Sequence, residues 1–212
     1  MDNQADHLKT LSDIRSMMER SSRFISLSGL SGVFAGIFAI AGAIAAYVYL
    51  KMDISNADYY QYALNDRGGP NVDFYTFFFT DAILVLIASV TSGFILTRRT
   101  AKQKGQSIWD ATAKRLLINM LIPLFTGGFF CLILLYHGIV GMVAPAMLIF
   151  YGLALINSSK YTLDDVRYLG VLEIILGLIA CIYIGYGLLF WAIGFGLLHI
   201  IYGIVMYYKY ER

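Results

Sequence analysis

Glu173 and His199 are the two residues of this sequence whose types and spacing could do chemistry together. A carboxyl group beside an imidazole can exchange protons, because the surroundings of each group decide which form it takes. Each residue lies in a long apolar run, with one glycine three positions before it and another four positions after it. On a helix, these offsets place the glycines and the ionisable residue on one face.

Small residues mark a helix face that packs against another helix, so both side chains are expected to point into a bundle and away from lipid. A short turn at Tyr186 would make the two helices neighbours and bring Glu173 within reach of His199. Two interpretations remain open. The pair is either a proton-coupled site or ligand contact, or a structural pair that fixes helix register. In the second case Tyr202 or Tyr151 would complete its hydrogen bonds.

Asp81 is a third ionisable residue inside an apolar run. A charge in the middle of a bilayer costs at least about 2.5–3.5 kcal/mol, so each such residue needs a role. Asp81 lies about 10 Å from the outer end of its helix, counted at about 1.5 Å per residue. At that depth it would face an outer vestibule or cap a kink with Thr80. The candidates for a substrate or proton path are therefore Glu173, His199, Asp81 and Tyr202.

Other kinds of site find little support in the residue types. The three histidines and two cysteines are scattered, without the HxxH, CxxC or HExxH spacing of metal sites. A haem would need two axial ligands on facing helices, and His199 is the one histidine expected inside the core. We therefore predict no catalytic residues, no metal and no cofactor, and do not expect an enzyme. A net charge of +2 gives no reason to expect a nucleic-acid partner.

The composition is that of an integral membrane protein. Of the 212 residues, 58% are hydrophobic and 14% are charged, whereas soluble domains average about 45–50% apolar and about 25% charged residues. A helix of about 20 apolar residues crosses the roughly 30 Å hydrocarbon core, and the runs lack the alternation of barrel strands. We predict an all-α, polytopic bundle of six transmembrane helices, with kinks or shortening at Pro123 and Pro145. The runs are 24–50, 74–97, 116–136, 139–156, 168–186 and 188–208.

The basic residues predict the orientation of these helices. Of the 16 lysines and arginines, all except Lys51 and Arg67 fall in segments on one side of a six-span chain. By the positive-inside rule both termini are cytoplasmic, and the short loops suggest a bacterial inner membrane. The predicted organisation is a cytoplasmic amphipathic helix over 1–23, the six-helix domain over 24–208 and a cytoplasmic end over 209–212.

The segment 1–23 is expected to lie on the inner leaflet, to dock a partner protein, or to extend the first span and pack on its own loops. Its apolar residues recur at helical spacing, at Leu8, Leu11, Ile14 and Met18. In the first span, small residues four apart from Ser28 to Gly36 allow close helix packing, within the chain or in a homodimer. The expected partners are the lipid bilayer, a second copy of the chain and a cytoplasmic protein.

Internal similarity suggests a repeat, although chance similarity remains an alternative. A shift of 50 residues aligns three pairs, which are Gly127 with Gly177, Cys131 with Cys181 and Tyr136 with Tyr186. Such a repeat would build the bundle from three parallel two-helix hairpins.

The run over 14–33, IRSMMERSSRFISLSGLSGV, resembles the opening of a family of uncharacterised bacterial six-span integral membrane proteins. This resemblance implies a multi-span bundle and carries no activity with it.

Two classes of function fit these observations. The first is a small-molecule or ion permease or exporter, with Glu173, His199 and Asp81 along its path; it predicts a polar cavity that reaches Glu173. The second is a non-transporting sensor or adaptor that engages a cytoplasmic partner through its N-terminal helix and the basic loop over 98–104. That class predicts a filled bundle in which the polar pair is sealed.

Overall fold

The computed structural model describes residues 27–51, 58–105 and 108–212. Within these ranges the chain is helical and forms no β-strand. The predicted amphipathic helix over 1–23 lies outside the described residues. The main elements are α1 (Gly29–Tyr49), α2 (Val72–Gln103), α3 (Ala111–Tyr136), α4 (Val143–Ser158), α5 (Asp165–Ile182), α6 (Gly187–Trp191), a π-helical turn (Ala192–Leu198) and α7 (His199–Tyr210). Helix α6, the π-helical turn and α7 follow one another without a break and are together called the last helix.

Five stretches of the described chain are long and apolar enough to cross a membrane, which indicates a membrane-embedded protein. They correspond to the first four predicted runs and the sixth. The fifth run forms α5, which has 18 residues and includes Asp165, Arg167 and Glu173, so its composition does not by itself mark it as a span. The five stretches are Gly29–Tyr49, Val72–Gln103, Ala111–Tyr136, Val140–Tyr161 and Ile184–Tyr210.

Two helices begin at side chains that cap their free N–H groups. Asn71 precedes α2, and its side-chain oxygen accepts a hydrogen bond from Phe74 N at 3.3 Å. Asp110 precedes α3 and accepts one from Ala113 N at 2.6 Å. Asparagine and aspartate are favoured at this position because their oxygens satisfy donors that the first helical turn leaves unpaired.

Glycines set the packing of the bundle. Helix α4 packs against α3 and α5, and α1 packs against α2 and the last helix. Gly152 of α4 meets Gly170 of α5, and Gly29 of α1 meets Gly203 of α7, so closely that an added methyl group would collide with the opposite backbone. Such close approach gives van der Waals attraction that lipid-facing apolar side chains cannot provide.

Pro123 and Pro145 leave their helices unbroken. Pro145 lies in the first turn of α4, where its missing N–H costs no helical hydrogen bond. Pro123 lies inside α3, and the carbonyl that loses its partner there is that of Asn119, four residues earlier. Asn157 of α4 donates its side-chain amide to that carbonyl at 2.8 Å. A polar side chain of the neighbouring helix thus satisfies the group that proline exposes.

The bundle has two distinct ends. At the end where α1 begins and α7 finishes, here called the basal end, Ser28 Oγ and Gly29 N donate to the carboxylate of Glu211. Also at this end, Lys209 Nζ lies 2.9 Å from the carboxylate of Asp165. The other end is called the distal end. An apolar cluster closes it, formed by Leu50, Tyr59, Ala63, Phe74 and Val140.

The predicted 50-residue repeat remains a prediction. Its glycines, Gly127 of α3 and Gly177 of α5, both pack against α4, on Phe150 and Ile149 respectively.

The contact at Pro123 predicts a rescue between two substitutions. Asn157→Ala should lower the stability of the bundle by about 1–3 kcal/mol, because the carbonyl of Asn119 loses its donor. In a Pro123→Ala background the new backbone N–H bonds that carbonyl, so Asn157→Ala should cost much less. Unfolding of the four proteins in detergent measures this coupling, and Asn119→Ala, which keeps the carbonyl, is the control. An equal cost of Asn157→Ala in both backgrounds would contradict this assignment.

Candidate functional site: a buried glutamate and histidine

Glu173 and His199 meet inside the bundle, as the short turn at Tyr186 predicts. Glu173 lies in the middle of α5, and His199 is the first residue of α7. His199 Nδ1 lies 3.5 Å from Glu173 Oε1. The Glu173 side chain has no exposed surface, and His199 is 7% exposed. Two ionisable side chains from different helices therefore share one buried site.

The glycines that flank this pair serve a different purpose from bringing α5 and α7 together. Gly170 and Gly177 contact α4, whereas Gly196 and Gly203 contact α1. The glycine face of α5 thus packs against α4, and the glycine face of the last helix packs against α1. The adjacency of Glu173 and His199 instead follows from the short connection at Ile184–Tyr186.

A π-helical turn directly before His199 orients the imidazole. His199 Nδ1 lies 2.9 Å from the carbonyl oxygen of Gly194, five residues earlier. Because a carbonyl only accepts hydrogen bonds, Nδ1 carries a proton. Single π-helical turns are uncommon inside α-helices and are often found at functional sites.

Tyr151 of α4 holds the other nitrogen of the ring. Its hydroxyl lies 2.7 Å from His199 Nε2. Since Nδ1 carries the proton in a neutral ring, Nε2 accepts a hydrogen bond from Tyr151. The rings of Tyr151 and Phe195 also flank the imidazole. Both nitrogens of His199 are therefore satisfied without Glu173.

The carboxyl group of Glu173, by contrast, receives no hydrogen bond from the part of the chain that the structure describes. Both of its oxygens are buried, and neither forms a hydrogen bond to any described residue. The proton on His199 Nδ1 points to the Gly194 carbonyl at 2.9 Å, and Glu173 Oε1 is farther away at 3.5 Å. Buried polar groups in proteins are almost always paired, because an unpaired one costs about 1–3 kcal/mol and a charged one costs more.

Gly194 makes the space that this carboxyl occupies, and the sequence analysis did not identify it. A methyl group at Gly194 would lie 2.5 Å from Glu173 Oε2 and would also collide with Leu148. The available signal was the spacing of Gly194 and Gly196, which are two residues apart and so lie on different faces of an α-helix. That spacing gives no direct indication of the π-helical turn.

The other two predicted path residues have other neighbours. The carboxyl of Asp81 faces Gly42 of α1, where an added methyl group would lie 3.0 Å from Oδ2. Tyr202 packs beside the apolar cluster formed by Leu155, Leu163, Val166, Leu169 and Met206. Of the two tyrosines considered for the histidine, the structure brings Tyr151 to it. Thr80 Oγ1 donates to Thr76 O in its own helix at 2.7 Å.

Two surface recesses of the described residues do not reach the pair. A groove of about 360 Å³ between α3 and α4 is lined by Pro123, Thr126, Phe150, Leu153, Ile156, Asn157 and Lys160. A recess of about 540 Å³ at the distal loop is lined by Asp58, Gln61, Tyr62, Leu64, Asn65, Asp66 and Asn71. Neither lining includes Glu173 or His199. Because Glu173 is unexposed and His199 only 7% exposed, the site is closed within the described part of the chain.

The unpaired carboxyl predicts stability changes of opposite sign. Glu173→Leu should raise the stability of the bundle by about 1–3 kcal/mol, because it removes two buried acceptors that lack donors. Tyr151→Phe should lower stability by about 1–2 kcal/mol, because it leaves His199 Nε2 unsatisfied. Unfolding in one detergent compares the two variants. If Glu173→Leu destabilised the protein as much as Tyr151→Phe, the carboxyl would have a stabilising partner.

The chemistry open to this site is that of an acceptor. Glu173 can bind a proton, a cation or a hydrogen-bond donor, and His199 can relay a proton through Tyr151. Among the described residues, no group of three or more histidines, cysteines or acidic residues could hold a metal ion.

No protein-family model, curated protein or solved structure matches the chain.

Proposed function

We propose that α5 is a sixth spanning helix and that the chain crosses a bacterial inner membrane with both termini in the cytoplasm. Helix α5 packs along α4, and its 18 residues extend about 27 Å at about 1.5 Å per residue. The distribution of charge supports the orientation. Lys51 and Arg67 lie in the connection between α1 and α2, at the distal end. The basic residues at the basal ends of the helices and in the segments that follow them are Arg98, Arg99, Lys102, Lys104, Lys114, Arg115, Lys160, Arg167, Lys209 and Arg212.

The function that this site supports best is that of a small-molecule or ion permease or exporter in which Glu173 takes up and releases a proton. One observation carries the proposal: neither oxygen of the fully buried Glu173 carboxyl has a hydrogen-bond partner among the described residues, although Oε1 lies 3.5 Å from His199 Nδ1. A pair that only fixed helix register would be expected to satisfy its own hydrogen bonds. Ionisable residues held inside a membrane protein against such a cost are usually functional.

The closed site defines the state that the structure represents. A channel would need a continuous polar path, whereas a carrier passes through a state in which its site is sealed from both sides. With Glu173 unexposed, the arrangement fits a carrier in its occluded state. Asp81, near the distal end, and Tyr202, nearer the basal end, are the candidates for the two approaches to the site.

A second candidate is a non-transporting sensor or adaptor, and the sealed pair also favours it. In that case Glu173 would never exchange its proton during function, and the exposed basic residues of the basal end would engage a cytoplasmic partner or anionic lipid. The two candidates differ in whether the carboxyl titrates when the protein lies in a membrane.

Charge movement on a pH jump distinguishes them. Purified protein in liposomes is adsorbed on a solid-supported membrane, and the external pH is changed rapidly. The parent protein should give a transient current as Glu173 binds or releases its proton, and Glu173→Gln should abolish it. Asp66→Asn, which removes an exposed carboxyl of the distal loop, is the matched control and should keep the current. A current that survives in Glu173→Gln would reject the proton site, and no current in the parent protein would favour the sensor.

A further inference from the structure

The groove between α3 and α4, with its volume of about 360 Å³, changes character along its length. It lies on the outer surface of the bundle, where lipid would contact it. On α4 its lining runs from Lys160 at the basal end through Asn157 and Leu153 to Phe150, and α3 contributes Pro123 and Thr126. The groove is therefore cationic at the basal end and apolar toward the middle of the bundle.

The polar side chains in the middle of the groove already bond to backbone carbonyls. Asn157 donates to Asn119 O at 2.8 Å, and Thr126 Oγ1 donates to Ile122 O at 2.9 Å. Leu153 of the same lining is 42% exposed. A ligand in this part of the groove would thus be held mainly by apolar contact, which suits a hydrocarbon chain.

Phe150 marks the inner end of the groove. It packs closely on α3, because a methyl group added to Gly127 would collide with the Phe150 side chain. Its ring centroid lies 5.6 Å from that of Phe130. Phe150 comes ten residues before Lys160, a length of about 15 Å along a helix. The hydrocarbon core is about 30 Å thick, so the groove has the depth of one leaflet.

Two cations are placed at the basal mouth of the groove. Lys160 belongs to its lining. Arg115 precedes Thr126 by eleven residues, which is about three helical turns, so these two residues lie on one face of α3. Both cations are exposed, and neither forms an ion pair with any described residue. Their charges are therefore available to an anion.

The packing of the two helices brings these cations to the same place. Tyr161 packs against a small cluster formed by Ala113 and Leu116 near the start of α3. Tyr161 directly follows Lys160, and Leu116 directly follows Arg115. Each cation is thus one residue away from the contact that joins the two helices at the basal end.

We propose that this groove binds an anionic glycerophospholipid of the basal leaflet, with its phosphate at Lys160 and Arg115 and one acyl chain along Leu153 toward Phe150. In such a lipid an anionic headgroup is followed by hydrocarbon, and the groove presents cations and then apolar side chains in the same order. A soluble anion would leave the apolar part of the groove empty. The groove lies outside the buried carboxyl and histidine site, so this proposal does not depend on the proposed carrier function.

Native mass spectrometry of the purified, delipidated protein in detergent tests the site. Dioleoylphosphatidylglycerol and dioleoylphosphatidylcholine share their acyl chains and differ in net charge, and each is titrated separately. The protein should bind phosphatidylglycerol about tenfold more tightly, and excess glycerol 3-phosphate should not displace it. Equal binding of the two lipids would overturn the proposal. Displacement by glycerol 3-phosphate would do so as well, because the cations would then serve a soluble anion.

Charge variants separate the groove from the rest of the basal surface. Lys160→Gln combined with Arg115→Gln should weaken binding of phosphatidylglycerol by about fivefold for each charge removed. Lys102→Gln combined with Arg167→Gln is the matched control, because it removes the same two kinds of charge from exposed residues of α2 and α5 at the same end. The control should bind as the parent does. An equal loss in both double variants would indicate unspecific attraction and contradict the assigned site.

The apolar part of the groove is tested without a change of charge. Thr126→Trp should fill the groove and abolish the preference for phosphatidylglycerol. Thr80→Trp is the matched control, because Thr80 is exposed on α2 and its hydroxyl also donates to the carbonyl four residues earlier. The control should keep the preference, and a preference that also survives in Thr126→Trp would reject the groove.

A second measurement uses the unmodified protein, so it does not depend on the folding of any variant. Phosphatidylglycerol with a photoreactive diazirine on its acyl chain is bound, and the cross-linked peptides are identified. We expect labels on α3 and α4 near Thr126 and Leu153. Labels spread evenly over all the apolar helices would overturn the proposal.

Discussion

The structure depends on one constraint: a carboxyl group held in the interior of the bundle. Glu173 has no exposed surface, and its oxygens have no hydrogen-bond partner among the described residues. The nearest ionisable group, His199, directs its own proton to a backbone carbonyl and its second nitrogen to Tyr151. The histidine is thus held in one tautomer and orientation beside an acceptor that is unsatisfied. Such an arrangement costs stability, which a proton or a cation would restore on binding.

Small residues make this arrangement possible. Gly194 leaves room for the carboxyl, and the π-helical turn it belongs to turns the imidazole toward its backbone. Glycine contacts such as Gly152 with Gly170 and Gly29 with Gly203 bring α4 against α5 and α1 against the last helix, so that the bundle closes around the pair. At these contacts an added methyl group would collide with the backbone of the opposite helix.

Much of the fold was predictable from the sequence, because length and apolarity are local properties. The predicted run over 168–186 corresponds to the helix Asp165–Ile182, and the predicted run over 74–97 corresponds to the helix Val72–Gln103. The contact between Glu173 and His199 also followed from their depth and the short turn between their helices. Three features were not predictable: the π-helical turn, the role of Gly194, and the pairing of His199 with Tyr151 rather than Tyr202. They depend on a one-residue change in backbone hydrogen bonding.

The central claim is that the Glu173 carboxyl exchanges a proton while buried in the membrane. Infrared difference spectroscopy of the protein in lipid, recorded between low and high pH, tests it most directly, because a protonated carboxyl has its own C=O stretching band. We expect a band that appears and disappears reversibly with pH and is missing in Glu173→Gln. A carboxyl band that stays constant across the pH range, or a pH-dependent band that Glu173→Gln retains in full, would contradict the claim.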